Sequence, residues 1–292
     1  MKVAVLGVSG MLGHTAFRTL SERFPGEISG TARSHAARTM FAPEAAAHIA
    51  TGLDVQDFDA LAGFLREARP AVILNCIGVV KQLASANDPL TVIPINALLP
   101  HRLARLADLV GARLIHVSTD CVFSGRKGDY VEADSPDAED LYGRSKLLGE
   151  VDYDNAVTLR TSIIGREVGS RNGLVDWFLS QQGRVQGYRR AIFSGLTTNE
   201  LSRVIIDHVL PNADLRGVYH VSVDPISKLD LLSLIKDVYR HPVEIDPDDR
   251  VAIDRSLNSD RFRSAVGYVP PSWPDLIQRM RALEDTRFSQ VR

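Results

Sequence analysis

Val3-Ala4-Val5-Leu6-Gly7-Val8-Ser9-Gly10-Met11-Leu12-Gly13 is the stretch on which the fold turns. Its first four residues form a β-rich apolar run, and Gly7, Gly10 and Gly13 follow at even intervals. A helical pattern then continues through HTAFRTLSERF. The order is strand, glycine turn, helix. Glycine lets the backbone reverse sharply and lets a diphosphate approach the helix N-terminus, where free N–H groups and the helix dipole favour an anion. The spacing is G-x-x-G-x-x-G, not G-x-G-x-x-G, so the strand in front carries as much weight as the glycines. Gly7, Ser9, Gly10, Met11 and Leu12 are the candidate cradle for a dinucleotide.

Moving outward, the alternation repeats. A second strand is expected over 28–32, ending at Arg33-Ser34 with Arg38 following. In a dinucleotide fold this strand's end meets the adenosine ribose. An acid there binds a free 2′-OH, whereas an arginine accommodates a 2′-phosphate. Arg33 therefore points to NADP(H) as the preferred cofactor, with NAD(H) as the second option. Leu53-Asp54-Val55 reads as the close of a short third strand, and Asp57 as the cap of a helix from Phe58. Pro70 precedes a fourth strand over 71–75, which runs on into Cys76-Ile77-Gly78. A helical stretch starts at Asp88-Pro89, contains Asn96 and is kinked or broken by Pro94 and Pro100. A fifth strand over 113–117 ends in Ser118-Thr119-Asp120. Such alternation predicts an α/β fold with a parallel, doubly wound, Rossmann-type sheet. Ligands in these sheets lie beyond the carboxyl ends of the strands. Gly7, Arg33, Asp54, Cys76 and Thr119 are therefore expected on one edge. Asp54, Val55, Cys76, Ile77 and Gly78 are candidate cofactor contacts.

LYGRSKLLGEV, residues 141–151, reads as a helix with Leu141, Leu147, Leu148 and Val151 as its core face. Tyr142 and Lys146 stand four apart, so their side chains share a face one turn apart. An ammonium beside a phenol favours the phenolate and brings the group toward proton exchange near neutral pH. Tyr-x-x-x-Lys alone arises by chance on many surface helices. Thr119 gives it weight, because a hydroxyl at the fifth strand's end can hold a carbonyl that Tyr142 protonates.

Composition bounds the function classes. At 45% hydrophobic and 24% charged residues, the chain has the make-up of an ordinary globular protein. The formal net charge of -2, without a basic block, argues against nucleic acid as a partner. No apolar run reaches membrane-spanning length. Met1-Lys2 leads straight into the first strand, so no signal peptide is expected. Cys76 and Cys121 are too few for a disulfide framework or a cysteine zinc site, and a cytoplasmic location fits. The histidines show no ligand spacing of the H-E-x-x-H kind, so no metal is expected.

In the carboxyl-terminal half, 157–161 reads as a sixth strand and 172–181 as a helix with Asn172 as its cap. Further elements are a helix over 199–209, a strand over 219–221, a helix over 229–239 and a last helix from Asp275. No linker separates the halves. Residues 1–160 are expected to form the dinucleotide domain, with 196–222 returning to it. Residues 161–195 and 223–292 are expected to form a smaller, intertwined substrate lobe. Arg189, Arg190 and Arg255 are candidates to meet a nucleotide diphosphate with forked hydrogen bonds; Arg189 and Arg190 read equally as a solvated basic loop.

The glycine turn, Ser118-Thr119-Asp120 and Tyr142-Gly-x-Ser-Lys146-x-x-Gly-Glu150 together resemble the extended short-chain dehydrogenase/reductases. The run STDCVFSGRKGDYVEADSPDAEDLYGRSKLLGE is more closely similar to the dTDP-4-dehydrorhamnose reductase family. Leu159-Arg160-Thr161, Gly217-Val218-Tyr219-His220-Val221-Ser222 and Arg255-Ser256-Leu257-Asn258 match it too. The resemblance implies NADPH-dependent reduction of a nucleotide-activated 4-keto-deoxysugar by a Thr-Tyr-Lys set. Thr119 would polarise the carbonyl and Tyr142 protonate it. Lys146 would hold the nicotinamide ribose and lower the tyrosine pKa, so Tyr142 and Lys146 also count as cofactor contacts. Asn172 and Cys121 join the arginines as candidate substrate contacts. Cys121 stands where the family has tyrosine, and Asn75-Cys76-Ile77-Gly78 departs from its usual N-x-A-A-like run. Cys121 also replaces the glutamate a 4,6-dehydratase needs. An epimerase on the same scaffold and a non-catalytic NADP-binding regulatory subunit are the alternatives. The partners expected are a nucleotide-diphosphate sugar and, for a homodimer, a second copy of the chain.

Overall fold

The computed structural model describes residues 1–81, 84–168 and 173–289. Its strands are β1 (Val3–Leu6), β2 (Ile28–Ala32), β3 (Ile49–Thr51), β4 (Val72–Asn75), β5 (Arg113–Thr119), β6 (Ala156–Thr161), β7 (Ile163–Ile164), β8 (Arg184–Phe193), β9 (Leu196–Thr197), β10 (Gly217–His220), β11 (Ile226–Ser227) and β12 (Glu244–Asp254). Its α-helices are α1 (Met11–Arg23), α2 (Pro43–Ala46), α3 (Phe58–Ala68), α4 (Pro89–Val92), α5 (Leu99–Leu109), α6 (Leu141–Leu148), α7 (Leu174–Ser180), α8 (Thr198–Val204), α9 (Lys228–Tyr239), α10 (Asp260–Val266) and α11 (Trp273–Ser289). Among the described residues, no helix is long and apolar enough to cross a membrane.

Seven strands form one parallel sheet in the order β10-β6-β5-β4-β1-β2-β3. The order reverses direction between β1 and β4, the switch point at which such sheets bind ligands. Both faces are covered, which is why β1 is apolar at every position. Side chains alternate across the sheet. Val3, Val5, Leu74, Ile115 and Val157 pack on one face with Phe17 of α1 and Leu201 of α8. Ala4, Leu6, Ile73 and Leu114 pack on the other with Leu61 and Leu65 of α3 and Leu103 of α5.

Several expectations shift. The third strand, Ile49–Thr51, ends before Leu53-Asp54-Val55 and is not closed by it, because pairing with β2 runs Gly30↔Ile49 to Ala32↔Thr51. Leu53 and Val55 are buried for packing on the helix-covered face, not for pairing. The break expected in the helix from Asp88 is present, by contrast: a π-helical stretch at Ile93–Leu98 holds Pro94 and ends just before Pro100. The Tyr142 helix stops at Leu148, which is 65% exposed and not core. It stops where Gly149 meets the backbone of Asn96: a Cβ there would lie 1.9 Å from the Asn96 carbonyl oxygen. Val151 does reach the core, from beyond the helix.

A second sheet, β11-β8-β12, lies outside the first. Arg189 and Arg190 are therefore in a strand, not a loop. β12 was hidden because EIDPDDRVAID contains a proline and five acids, and its register slips between Asp248 and Ala252. Arg255-Ser256-Leu257-Asn258 laces this part to the first half of the chain. The Tyr130 N–H donates to the Ser256 carbonyl at 2.9 Å, and the Asn258 N–H to the Tyr130 carbonyl at 2.8 Å. The Ser222 hydroxyl donates to the Leu257 carbonyl at 2.7 Å.

Candidate functional site

Gly7 follows β1 with φ +85, a conformation that disfavours any side chain, and a Cβ would strike Ile77 at 2.7 Å. Gly13 is excluded from change by approach: its Cβ would lie 2.1 Å from the Gly7 carbonyl oxygen. The turn is thus drawn tightly against the first turn of α1. Gly10 caps α1 without a side chain, and no acid stands in the first turn. The leading N–H groups of this helix are accordingly open to an anion. This is a cradle of the kind a dinucleotide diphosphate fits.

Further along the same edge, Thr119 ends β5 and Tyr142 and Lys146 arrive on α6. Asp140 starts α6, its carboxylate accepting from the Gly143 N–H at 2.8 Å. Thr119 Oγ1 donates to Asp120 Oδ1 at 3.1 Å and accepts from the Cys121 N–H at 3.1 Å. Lys146 Nζ donates to the Val117 carbonyl at 2.8 Å and reaches to 4.0 Å of the place a Gly78 Cβ would occupy. Burial pulls the Lys146 ammonium down to about 8, against Glu150 and Cys76, which favour the charge. Burial likewise pushes Cys76 and Cys121 up to about 12, so both remain thiols at neutral pH.

The phenol of Tyr142 departs from expectation. Its pKa is raised, chiefly by burial, with the Asp120 and Asp140 carboxylates adding to the rise and the Thr119 hydrogen bond favouring phenolate. Lys146 is turned to Val117 and does not offset this. Tyr142 therefore holds its proton firmly at neutral pH, as a proton donor must.

Two buried networks fix α6. The side-chain amide of Asn96 donates to the Val79 carbonyl at 3.0 Å and to Ser145 Oγ at 3.2 Å, while Asn96 Oδ1 accepts from the Val79 N–H at 2.8 Å. Glu150, just past the helix, takes Arg160 in a fork of 2.7 and 2.6 Å and accepts from Ser118 Oγ at 2.7 Å. Arg160 Nη1 reaches His220 Nε2 at 3.2 Å. The matching sequence pieces Glu150, Arg160 and His220 are thus the footing of the site.

The other sequence candidates divide. Arg33 is exposed at the end of β2 and makes no hydrogen bond or ion pair among the described residues. Arg38 is committed to the Ile49 carbonyl, at 2.7 and 3.1 Å, and Ser34 to capping the next turn. Asp54 accepts from the Gln56 N–H at 3.0 Å, and Val55 is buried. Cys76, Ile77 and Gly78 follow β4 between the glycine turn and Lys146. Arg189 pairs with Asp249 at 3.1 Å and lines, with Arg190, Arg126 and Asp254, a cavity of about 570 Å³. Arg255 donates to the Phe123 carbonyl at 2.8 Å and faces Asp120 and Cys121. Asn172 lies outside the described residues; the helix after it is capped by Gly173.

Sequence reasoning missed two groups here. Asp120 is buried, and burial raises its pKa against the charge of Arg255. Lys228, the first residue of α9, faces Asp120 and Cys121; burial lowers its pKa to about 8. No local motif marks Lys228, because only the fold carries α9 to this edge.

The chain is 28% identical over 262 residues to methionine adenosyltransferase 2 subunit beta of Danio rerio, covering 82% of this chain and 75% of that one. It is 31% identical over 147 residues to dTDP-4-dehydrorhamnose reductase of Streptomyces griseus, but that match covers 50% of this chain and 42% of the reductase. The fold superposes on dTDP-4-dehydrorhamnose reductase of Bacillus anthracis in complex with NADP with a TM-score of 0.78, at 23% identity, covering 97% and 99% of the two chains. Residues 1–280 match the RmlD substrate binding domain model, and the chain belongs to that family.

Proposed function

We propose that the protein reduces a nucleotide-activated 4-keto-deoxysugar with NADPH. The observation that carries this reading is the meeting of Thr119, Tyr142 and Lys146 on the sheet edge that also holds the glycine cradle. A reduced nicotinamide, when bound, supplies the hydride. Thr119 Oγ1 turns its hydrogen bond from Asp120 to the substrate carbonyl. Tyr142, protonated at neutral pH, gives its proton to the oxygen as the carbonyl is reduced. Lys146 and Tyr142 hold the ribose beside the substrate. The Streptomyces griseus match and the NADP bound to the Bacillus anthracis protein support the substrate class and the cofactor. The longer match is to a methionine adenosyltransferase subunit, and beside it stands the second reading, a non-catalytic NADP-binding regulatory subunit. Turnover of a ketosugar by the purified chain decides between them.

Arg33→Ala is expected to weaken NADPH by roughly tenfold or more and to leave NADH nearly unchanged. A charge-assisted bond to the 2′-phosphate is worth about 1.5–3 kcal/mol. Fluorescence titration with both cofactors checks this, and equal losses for the two would contradict it.

Lys146 gives a pH dependence. Its folded pKa, about 8, lies below the ordinary lysine value of 10.5. The buried ammonium thus costs stability below pH about 8, and that cost is relieved as pH rises toward the unfolded value. Cofactor binding has the opposite sign, because it uses the ammonium. NADPH affinity should fall as pH passes about 8, and in Lys146→Met it should be weak and flat. A wild-type affinity level across this range would contradict the assignment.

A further inference from the structure

Lys228 is a cation from the smaller sheet's side of the molecule placed at the catalytic edge. Ser227 caps α9, accepting from the Asp230 N–H at 3.0 Å, and so fixes the first turn that carries Lys228. The ammonium lies 4.3 Å from the centroid of the Phe193 ring, on β8. It faces Asp120 and Cys121, the two residues after Thr119. Among the described residues it makes no hydrogen bond and no ion pair. A half-buried ammonium held over an aromatic ring, without a protein oxygen as acceptor, keeps its N–H donors free to meet a ligand. Arg255 adds a second positive charge facing Asp120, and its stem packs 3.1 Å from where a Gly125 Cβ would stand. Gly125 lines the cavity that holds Arg126, Arg189 and Arg190. Lys228, Arg255, Arg126, Arg189 and Arg190 thus run from beside Thr119 to that cavity, interleaved with Asp120 and Asp140 at the catalytic end and with Asp249 and Asp254 at the other.

We propose that Lys228 binds the sugar-linked phosphate of the substrate's diphosphate and so sets the sugar against Thr119 and Tyr142. This rests on the nucleotide-sugar reading above and deepens it by naming the group that anchors the substrate. The anion supplies the acceptor oxygens that no protein group among the described residues gives this ammonium. The lowered pKa of Lys228 agrees with a charge whose burial outweighs the pull of Asp120. Phosphate binding by a point-charge ammonium is common, and no bidentate geometry is needed.

Calorimetric titration of the full chain with dTDP and with UDP, alongside NADPH titration, tests this without turnover. Wild type is expected to bind at least one nucleoside diphosphate. Lys228→Met should lose roughly tenfold or more of that affinity, the loss of one charge-assisted hydrogen bond, with NADPH affinity and melting temperature unchanged. Lys228→Arg should recover most of it. Equal nucleoside diphosphate affinity in wild type and Lys228→Met would overturn the role of Lys228 and leave the nucleotide-sugar reading standing. A parallel loss of NADPH affinity would overturn it too, by showing a structural or cofactor role. Failure of wild type to bind either nucleotide would overturn the nucleotide-sugar reading, and the role of Lys228 with it.

Discussion

Tyr142→Phe lowers turnover by about 10²–10⁴, the span expected when a general acid is removed, and spares the fold. The ring still fills its place in the wall of the site; only the oxygen is lost. Burial holds the wild-type phenol protonated at neutral pH, so the proton is present when the reduced oxygen needs it. The neighbouring Thr119 hydroxyl then stabilises the phenolate that remains. Removing Thr119 gives a different pattern. Thr119→Val should slow turnover with NADPH affinity intact, because its hydroxyl serves the substrate and the Tyr142 oxygen but not the cofactor. Steady-state kinetics with a nucleotide ketosugar, paired with cofactor titration, reads both variants. Wild-type turnover in Tyr142→Phe would remove Tyr142 from the mechanism.

Arg160→Leu is expected to destabilise the protein by about 3–5 kcal/mol, the cost of breaking a buried pair and leaving one charge behind. Arg160 and Glu150 side chains are each only 6% exposed. Leucine would strand the Glu150 carboxylate against Ser118 and remove the guanidinium that lies 5.3 Å from the Phe123 ring centroid. Replacing both partners, Glu150→Gln with Arg160→Leu, should cost less than Arg160→Leu alone, since no buried charge is then orphaned. Urea unfolding monitored by circular dichroism measures the difference. A loss below about 1 kcal/mol for Arg160→Leu would show that the pair is solvated in solution.

The parallel sheet was legible because its signals are local. Val3 to Leu6 is apolar throughout, Gly7 follows, and Asp57 caps α3 through the Ala60 N–H at 3.0 Å, as a cap before Phe58 requires. The edge that gathers Gly7, Arg33, Cys76 and Thr119 follows from parallel strands alone. Less local features escaped. β8 and β12 pair across more than fifty residues of chain and show charge instead of alternation. Leu148 looked like core because helical spacing placed it there, yet Gly149 ends the helix against Asn96. Lys228 has no signature at all, since its meaning depends on where α9 lands. The phenol shift was read with the wrong sign, because sequence shows the cation four residues away but neither the burial nor the direction Lys146 takes.

The central claim is tested most directly by mixing the purified chain with NADPH and a set of nucleotide-linked 4-ketosugars, and following loss of the reduced-nicotinamide absorbance. The account predicts sustained oxidation with at least one such sugar, faster with NADPH than with NADH, and abolished in Tyr142→Phe. NADPH binding with no oxidation on any of the ketosugars would contradict it and leave a cofactor-binding subunit in its place.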